Sequence, residues 1–259
     1  EREHLSQMLA ELPEQPLMVV DAGFYGYGLW CEMLTTGCEF VARVGSNVHL
    51  LTRLGETRTR DDIVYFWPVR EARRKQPPLM LRLVVLQGNR HPIYLVTSVL
   101  DRRRLSDRNV AQMYQQRWGI ELFYRHLKQT FDRRKLRSRN AANAYTEAQW
   151  SLLGLWAMAL HAQHFQQSRR LDPSRLSCAG MLRAYRRAMR EFKSRPEPGE
   201  DLHSMLLLAQ KDNYQRTKPK SNEDFPPFHK PKPAGKPQIK NPTAWQIKRA
   251  KQLQQCGII

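Results

Sequence analysis

The strongest constraint in this sequence is a run of six short apolar segments between Leu17 and Val99, followed from Ser106 by much longer amphipathic stretches. Leu17-Met18-Val19-Val20 has the length and setting of a buried strand, with Pro16 before it and Asp21-Ala22-Gly23-Phe24 after it. A helix over 26–36, closed by Gly37, and a second strand over 38–44 complete a strand-helix-strand unit. Alternating or apolar runs at 48–54, 63–67, 79–86 and 93–99 predict four more strands. Charged or turn-like stretches such as 58–62 and 70–78 separate them. Residues 1–12 read as the end of a helix stopped by Pro13 and Pro16. Ser106 is a good N-cap for a long helix reaching Phe131, with further helices around 150–160, 175–192 and 200–211. The fold class is therefore α/β.

Charge narrows the partners. Lys plus Arg number 43 against 24 Asp plus Glu, a formal net charge of +19. A polyanion is the natural counterpart, since Lys and Arg on phosphates release condensed counterions. Residues 215–252 hold ten of these basic residues, two acids and seven prolines, which predicts a disordered basic tail with a short helix at 243–254. That tail is read equally as a DNA-gripping extension or as an unselected read-through. No apolar run approaches the roughly 18 residues of a membrane span, and no secretory signal pattern opens the chain. Cys31, Cys38, Cys178 and Cys256 form no C-x-x-C pair, which argues against a disulfide scaffold or structural zinc and for a reducing, cytoplasmic setting.

The chemistry concentrates in Tyr114-Gln-Gln-Arg117-Trp-Gly-Ile-Glu121-Leu-Phe-Tyr-Arg-His-Leu-Lys128. On one continuous helix at about 100° per residue, Tyr114, Arg117, Glu121 and Lys128 share an arc of roughly 60°. Apolar Ile120, Phe123, Leu127 and Phe131 occupy the neighbouring arc. Such a face is either a solvated surface with an i,i+4 ion pair between Arg117 and Glu121, or a phosphate-binding face with a carboxylate among its cations. Asp21 is likewise either a cap on the following helix or a functional acid at a strand end. Trp67 reads as core. Gly26-Tyr27-Gly28 lacks the third glycine of a dinucleotide fingerprint.

The Y-x2-R-x3-E-x6-K spacing of Tyr114, Arg117, Glu121 and Lys128 resembles the signature of the insertion-sequence-four family of bacterial DDE transposases. Val19-Val20-Asp21-Ala22-Gly23-Phe24 is similar to the segment carrying the second catalytic Asp of that family. The resemblance covers residues 17 to about 131. It implies a partial RNase H-like core over 1–45, a β-rich insertion over 46–104 and a catalytic-Glu helix opening 105–213, while the packed helices that complete 105–213 and the basic tail over 214–259 are read from pattern and composition. Asp21 and Glu121 would be catalytic carboxylates ligating Mg²⁺ or Mn²⁺ in a two-metal site, the arrangement that stabilises attacking and leaving oxygens in phosphodiester chemistry. Tyr114, Arg117 and Lys128 would bind DNA, the arginine by its planar fork and the lysine as a point charge.

The implied activity is metal-dependent cleavage and strand transfer on double-stranded DNA, at transposon ends and target, by a homodimer at the bacterial nucleoid. One departure stands out: residues 1–20 contain no Asp, so the first acid of the triad is missing. The expectation is a C-terminal portion of a transposase, inactive alone and prone to fold poorly. The alternatives are a non-catalytic DNA-binding remnant or domesticated derivative, and a basic RNA-binding protein.

Overall fold

The computed structural model describes residues 2–54, 62–88, 91–191, 199, 201–211 and 235–256. They form two compact units, one from residues 1–117 with 227–259 and the other from 118–226.

The first unit starts with α1 (Arg2–Leu9), β1 (Leu17–Val20), a 3-10 turn (Ala22–Phe24), α2 (Tyr27–Thr35) and β2 (Glu39–Val44). It continues through β3 (His49–Leu51), β4 (Ile63–Phe66), α3 (Val69–Arg73), β5 (Leu79–Leu86), β6 (Ile93–Thr97) and α4 (Asp107–Gln116). One seven-stranded sheet runs β1-β2-β6-β5-β4-β3-β7, where β7 is Gln238–Lys240. β1 lies parallel to β2, with Leu17 opposite Glu39, and forms one edge of the sheet. The pairs from β2 through β6, β5 and β4 to β3 are antiparallel. The β-rich stretch is thus continuous with the first two strands, because β6 pairs directly with β2.

Alternation in each strand serves two apolar layers. Phe40, Ala42 and Val44 of β2 join Trp30 and Met33 of α2, with Leu81 and Val96, in one core. Val41, Val84 and Leu95 enter the other core with Val110 and Tyr114 of α4. The same parity sends Arg82 of β5 toward α4. Fully buried, its guanidinium donates to the carbonyls of Val99 and Leu105 and pairs with Asp107 in the first turn of α4. Ser106 Oγ accepts from Asn109 N at 3.1 Å, the cap its sequence position predicts.

Two expectations need correction. The disordered tail does not describe residues 235–242, where β7 forms, while the short helix expected at 243–254 is α9 (Ala244–Gln255). β7 pairs in parallel with β3, His49 opposite Gln238, and covers that edge of the sheet. α9 opens with a Thr243–Gln246 capping box and buries Ala250 and Leu253 against Leu51, Tyr65, Trp67 and Ala72. Average composition over a long window hides a local apolar i,i+3 pair. The rest of the predicted tail, 214–234 and 257–259, lies outside the described residues.

The second correction concerns the long helix. α4 ends at Gln116, Arg117 is its C-cap, and α5 (Trp118–Arg125) passes into a π-helical turn (His126–Thr130). The π-helical turn changes the rotation per residue at His126–Thr130, so a single phase of 100° per residue does not extend to Lys128. Gly119, the weakest helix former nearby, lies just past the break.

The second unit contains α5, the π-helical turn, α6 (Ala141–Ser168), a 3-10 turn (Pro173–Arg175), α7 (Cys178–Arg190) and α8 (Leu202–Leu208). Leu155, Ala162, Met181, Ala184 and Leu206 form its core, with Phe123, Leu127 and Phe131 packed alongside. Asn140, Ser177 and Asp201 cap α6, α7 and α8 through their side-chain oxygens. No described helix is long and apolar enough to cross a membrane.

Candidate functional site

β1 delivers Asp21 to the sheet's end in extended conformation, φ −87° and ψ 174°, at the start of the 3-10 turn. A strand-end Asp here would ordinarily cap that turn, yet its side chain makes no capping bond. Instead Tyr114 Oη donates to Asp21 Oδ1 at 3.2 Å. Arg43 Nη1 stands 3.9 Å from Oδ1 and Arg117 Nη1 stands 3.9 Å from Oδ2. Both separations exceed hydrogen-bond length, so the arginines act as flanking charges rather than as forks closed on the carboxylate. With 41% of its side chain exposed, Asp21 is open to a ligand, whereas Arg117 is only 16% exposed.

Each side chain arrives for a local reason. Arg43 has the parity of Val41, which places it on the α4 face of the sheet. Tyr114 anchors the last turn of α4 in the apolar layer formed with Val41, Val84 and Leu95. Arg117 follows three residues later and sets its guanidinium 5.6 Å from the Tyr114 ring centroid. Burial, then the Asp21 charge, push the Tyr114 hydroxyl above its usual pKa, while Arg43 and Arg117 pull it back. Tyr114 therefore stays a neutral donor to the carboxylate at physiological pH. Guanidinium groups are of the type that binds an anionic phosphate.

Of the expected site residues, the structure gathers Asp21, Tyr114 and Arg117 in the first unit. Glu121 lies on α5 and Lys128 in the π-helical turn, both in the second unit, with Lys128 Nζ 5.9 Å from the Tyr124 ring centroid. Sequence reasoning missed Arg43. Its signal was a lone cation inside the otherwise apolar Phe40–Val44 segment, on the parity of the α4 layer. Trp67 is buried and donates from Nε1 to the Gln76 carbonyl at 2.8 Å, as a core residue does.

Asp21 suits a hard cation, which prefers carboxylate oxygen. It is one ligand, though, and no three His, Cys, Asp or Glu come together among the described residues. The fit to a divalent ion is thus partial, and a two-ion site needs carboxylates beyond this cluster.

Comparison with known proteins bears on what the cluster is for. A family model described as "Transposase DDE domain" matches residues 1–157, which include Asp21, Tyr114, Arg117, Glu121 and Lys128. The Escherichia coli (strain K12) protein "Transposase InsG for insertion sequence element IS4" is 28% identical over 138 residues, 50% of this chain. The chain spans only 30% of that relative's length. No solved structure matches. With more than half its length under the family model, and an uncapped acid held by a tyrosine and two arginines at a strand end, the chain belongs to the transposase DDE domain family.

Proposed function

We propose that this chain is part of a DNA transposase and supplies two of its catalytic carboxylates, Asp21 and Glu121, for cleavage and strand transfer on double-stranded DNA. The observation carrying this reading is the Asp21 environment. Its side chain declines the capping bond, takes a hydrogen bond from Tyr114, and sits between two arginines. A structural acid would be closed off by its partners; this one keeps exposed oxygen beside phosphate-binding groups.

The roles follow from the chemistry. Tyr114 fixes the rotamer of Asp21 through its hydroxyl. Arg117 binds a nonbridging phosphate oxygen of the scissile strand, and Arg43 shares that load from β2. Lys128 contributes a further point charge to the backbone. Asp21 and Glu121 would each supply carboxylate oxygen to Mg²⁺ or Mn²⁺, which would polarise the phosphodiester and stabilise developing charge on its oxygens. Residues 1–20 contain no Asp, so this reading assigns two of the triad's acids, to Asp21 and Glu121, and leaves the first unassigned. Action as a homodimer at the bacterial nucleoid belongs to the same proposal.

The test uses the full-length protein with a duplex carrying the element's end. Glu121→Gln and Asp21→Asn are each expected to lower Mg²⁺-dependent nicking by at least about 1,000-fold, an effect of about 4 kcal/mol, while duplex affinity stays within about threefold. Cleavage that survives either substitution would overturn the assignment. Duplex binding without any cleavage in the unsubstituted protein would favour the DNA-binding remnant.

A further inference from the structure

We infer that the arginine face of α7 is a second DNA-contacting surface, which grips the phosphate backbone of a duplex without regard to sequence. It shares with the proposed function only the premise that DNA is the partner, and uses none of the residues around Asp21.

Between Asp172 and Glu191 the chain has five arginines and no acid. Arg183, Arg186, Arg187 and Arg190 fall at i, i+3, i+4 and i+7 on α7, the spacing of a single helix face, and all four are exposed. The opposite face buries Met181, Leu182 and Ala184. Arg187 Nε pairs with Glu191 Oε2 at 2.8 Å. From Arg183 to Arg190 the helix rises about 10 Å, enough to reach successive phosphates of one strand. Arginine matches a phosphate bidentately, which lysine does not.

The ground beside this face also suits a nucleotide backbone. α7 and α8 approach closely at Gly180, where a Cβ would lie 3.1 Å from the Cα and Cβ of Ala209. A cleft of about 320 Å³ there is lined by Arg183 and Arg187 together with Ala184, Met205 and Leu208. Leu208 is 82% exposed. A phosphate held by the arginines would set its deoxyribose against Met205 and Leu208, apolar surface without a hydrogen-bond demand. Backbone contacts of this kind carry no sequence information. An acidic peptide could meet the same charges, but a net charge of +19 and membership of a transposase family favour the duplex.

The experiment is equilibrium binding of the whole chain to a fluorescent 30-base-pair duplex of arbitrary sequence between about 50 and 200 mM NaCl. Each phosphate contact contributes about 0.9 to the slope of log K against log salt. The triple variant Arg183→Gln, Arg186→Gln, Arg190→Gln is expected to flatten that slope by about 2–3. The corresponding Arg→Lys triple should keep the slope and report that the fold is intact. A control of equal charge loss on other elements, Arg70→Gln, Arg73→Gln, Lys248→Gln, should change it by less than about 1. Equal flattening in both Gln triples would show that net charge rather than α7 matters, and would overturn the inference. So would an unchanged slope in the α7 triple. Loss of binding to polyglutamate but not to DNA would replace the duplex with an acidic protein partner. Failure of the unsubstituted chain to bind any duplex would remove DNA as the partner of both surfaces, whereas flattening confined to the α7 triple leaves the Asp21 reading to its own nicking assay.

Discussion

Asp21 and Glu147 show how differently two acids of one chain are used. The Asp21 side chain makes no bond to its own backbone turn and stays partly exposed beside Arg43 and Arg117. Glu147 is fully committed: it accepts from the backbone N–H groups of Arg137 and Ser138 at 2.9 and 3.0 Å and from the Ser138 hydroxyl at 3.0 Å. Arg133 adds an ion pair at 3.8 Å. The Arg137 and Ser138 backbone bonds hold the Glu147 carboxyl below its usual pKa. A depressed folded pKa stabilises the native state above the unfolded value near 4.5, and that contribution is lost as pH falls through the folded value. We therefore expect the thermal midpoint of the wild-type chain to drop on acidification below pH 4.5 more steeply than that of Glu147→Gln. Parallel acid profiles for the two proteins would show that the Arg133–Arg139 turn does not depend on this carboxylate.

At the scale of elements, α4 is the part on which the site depends, since it carries Tyr114 and ends at Arg117. Its N-terminus is fastened by Arg82, a fully buried side chain whose partners are two carbonyls and Asp107. Arg82→Met keeps the length and removes the donors, leaving the Val99 and Leu105 carbonyls unsatisfied. The expected cost is about 2–4 kcal/mol in urea unfolding, below that of dismantling a wholly buried pair because Asp107 reaches solvent. A loss under about 0.5 kcal/mol would mean that water satisfies those carbonyls and that α4 is held by its apolar face alone. Cap chemistry made the start of α4 legible in the sequence at Ser106. The end was not legible, because Arg117 and Trp118 read as unbroken helix, whereas α4 ends at Gln116 in the fold.

At the scale of the whole molecule, the first unit is closed by residues far apart in sequence. β7 and α9 return to strands laid down nearly 190 positions earlier, with Gln238 opposite His49 and Leu253 packed among Leu51, Tyr65 and Trp67. This makes the C-terminal segment part of the core. Leu253→Ala should cost about 2–5 kcal/mol, read as a lowered urea midpoint at unchanged slope. A shift below about 0.5 kcal/mol would show α9 to be dispensable to the sheet.

What the sequence determined by itself was local. The bounds of β1, β5 and the start of β6, the helix after Asp21, and the caps at Ser106 and Thr243 follow from hydrophobic period and from side chains bonding within a few residues. The types of residue around the site were equally readable, since Asp21, Tyr114 and Arg117 stand in a spacing with chemical meaning. Only the tertiary structure decided that Arg43 joins them, that Asp21 leaves its turn uncapped, and that a three-residue strand near the C-terminus extends the sheet. Those outcomes rest on pairings across tens to nearly two hundred positions. Their free energy comes from burial and from which face of a strand meets which helix, and no window of sequence contains both partners.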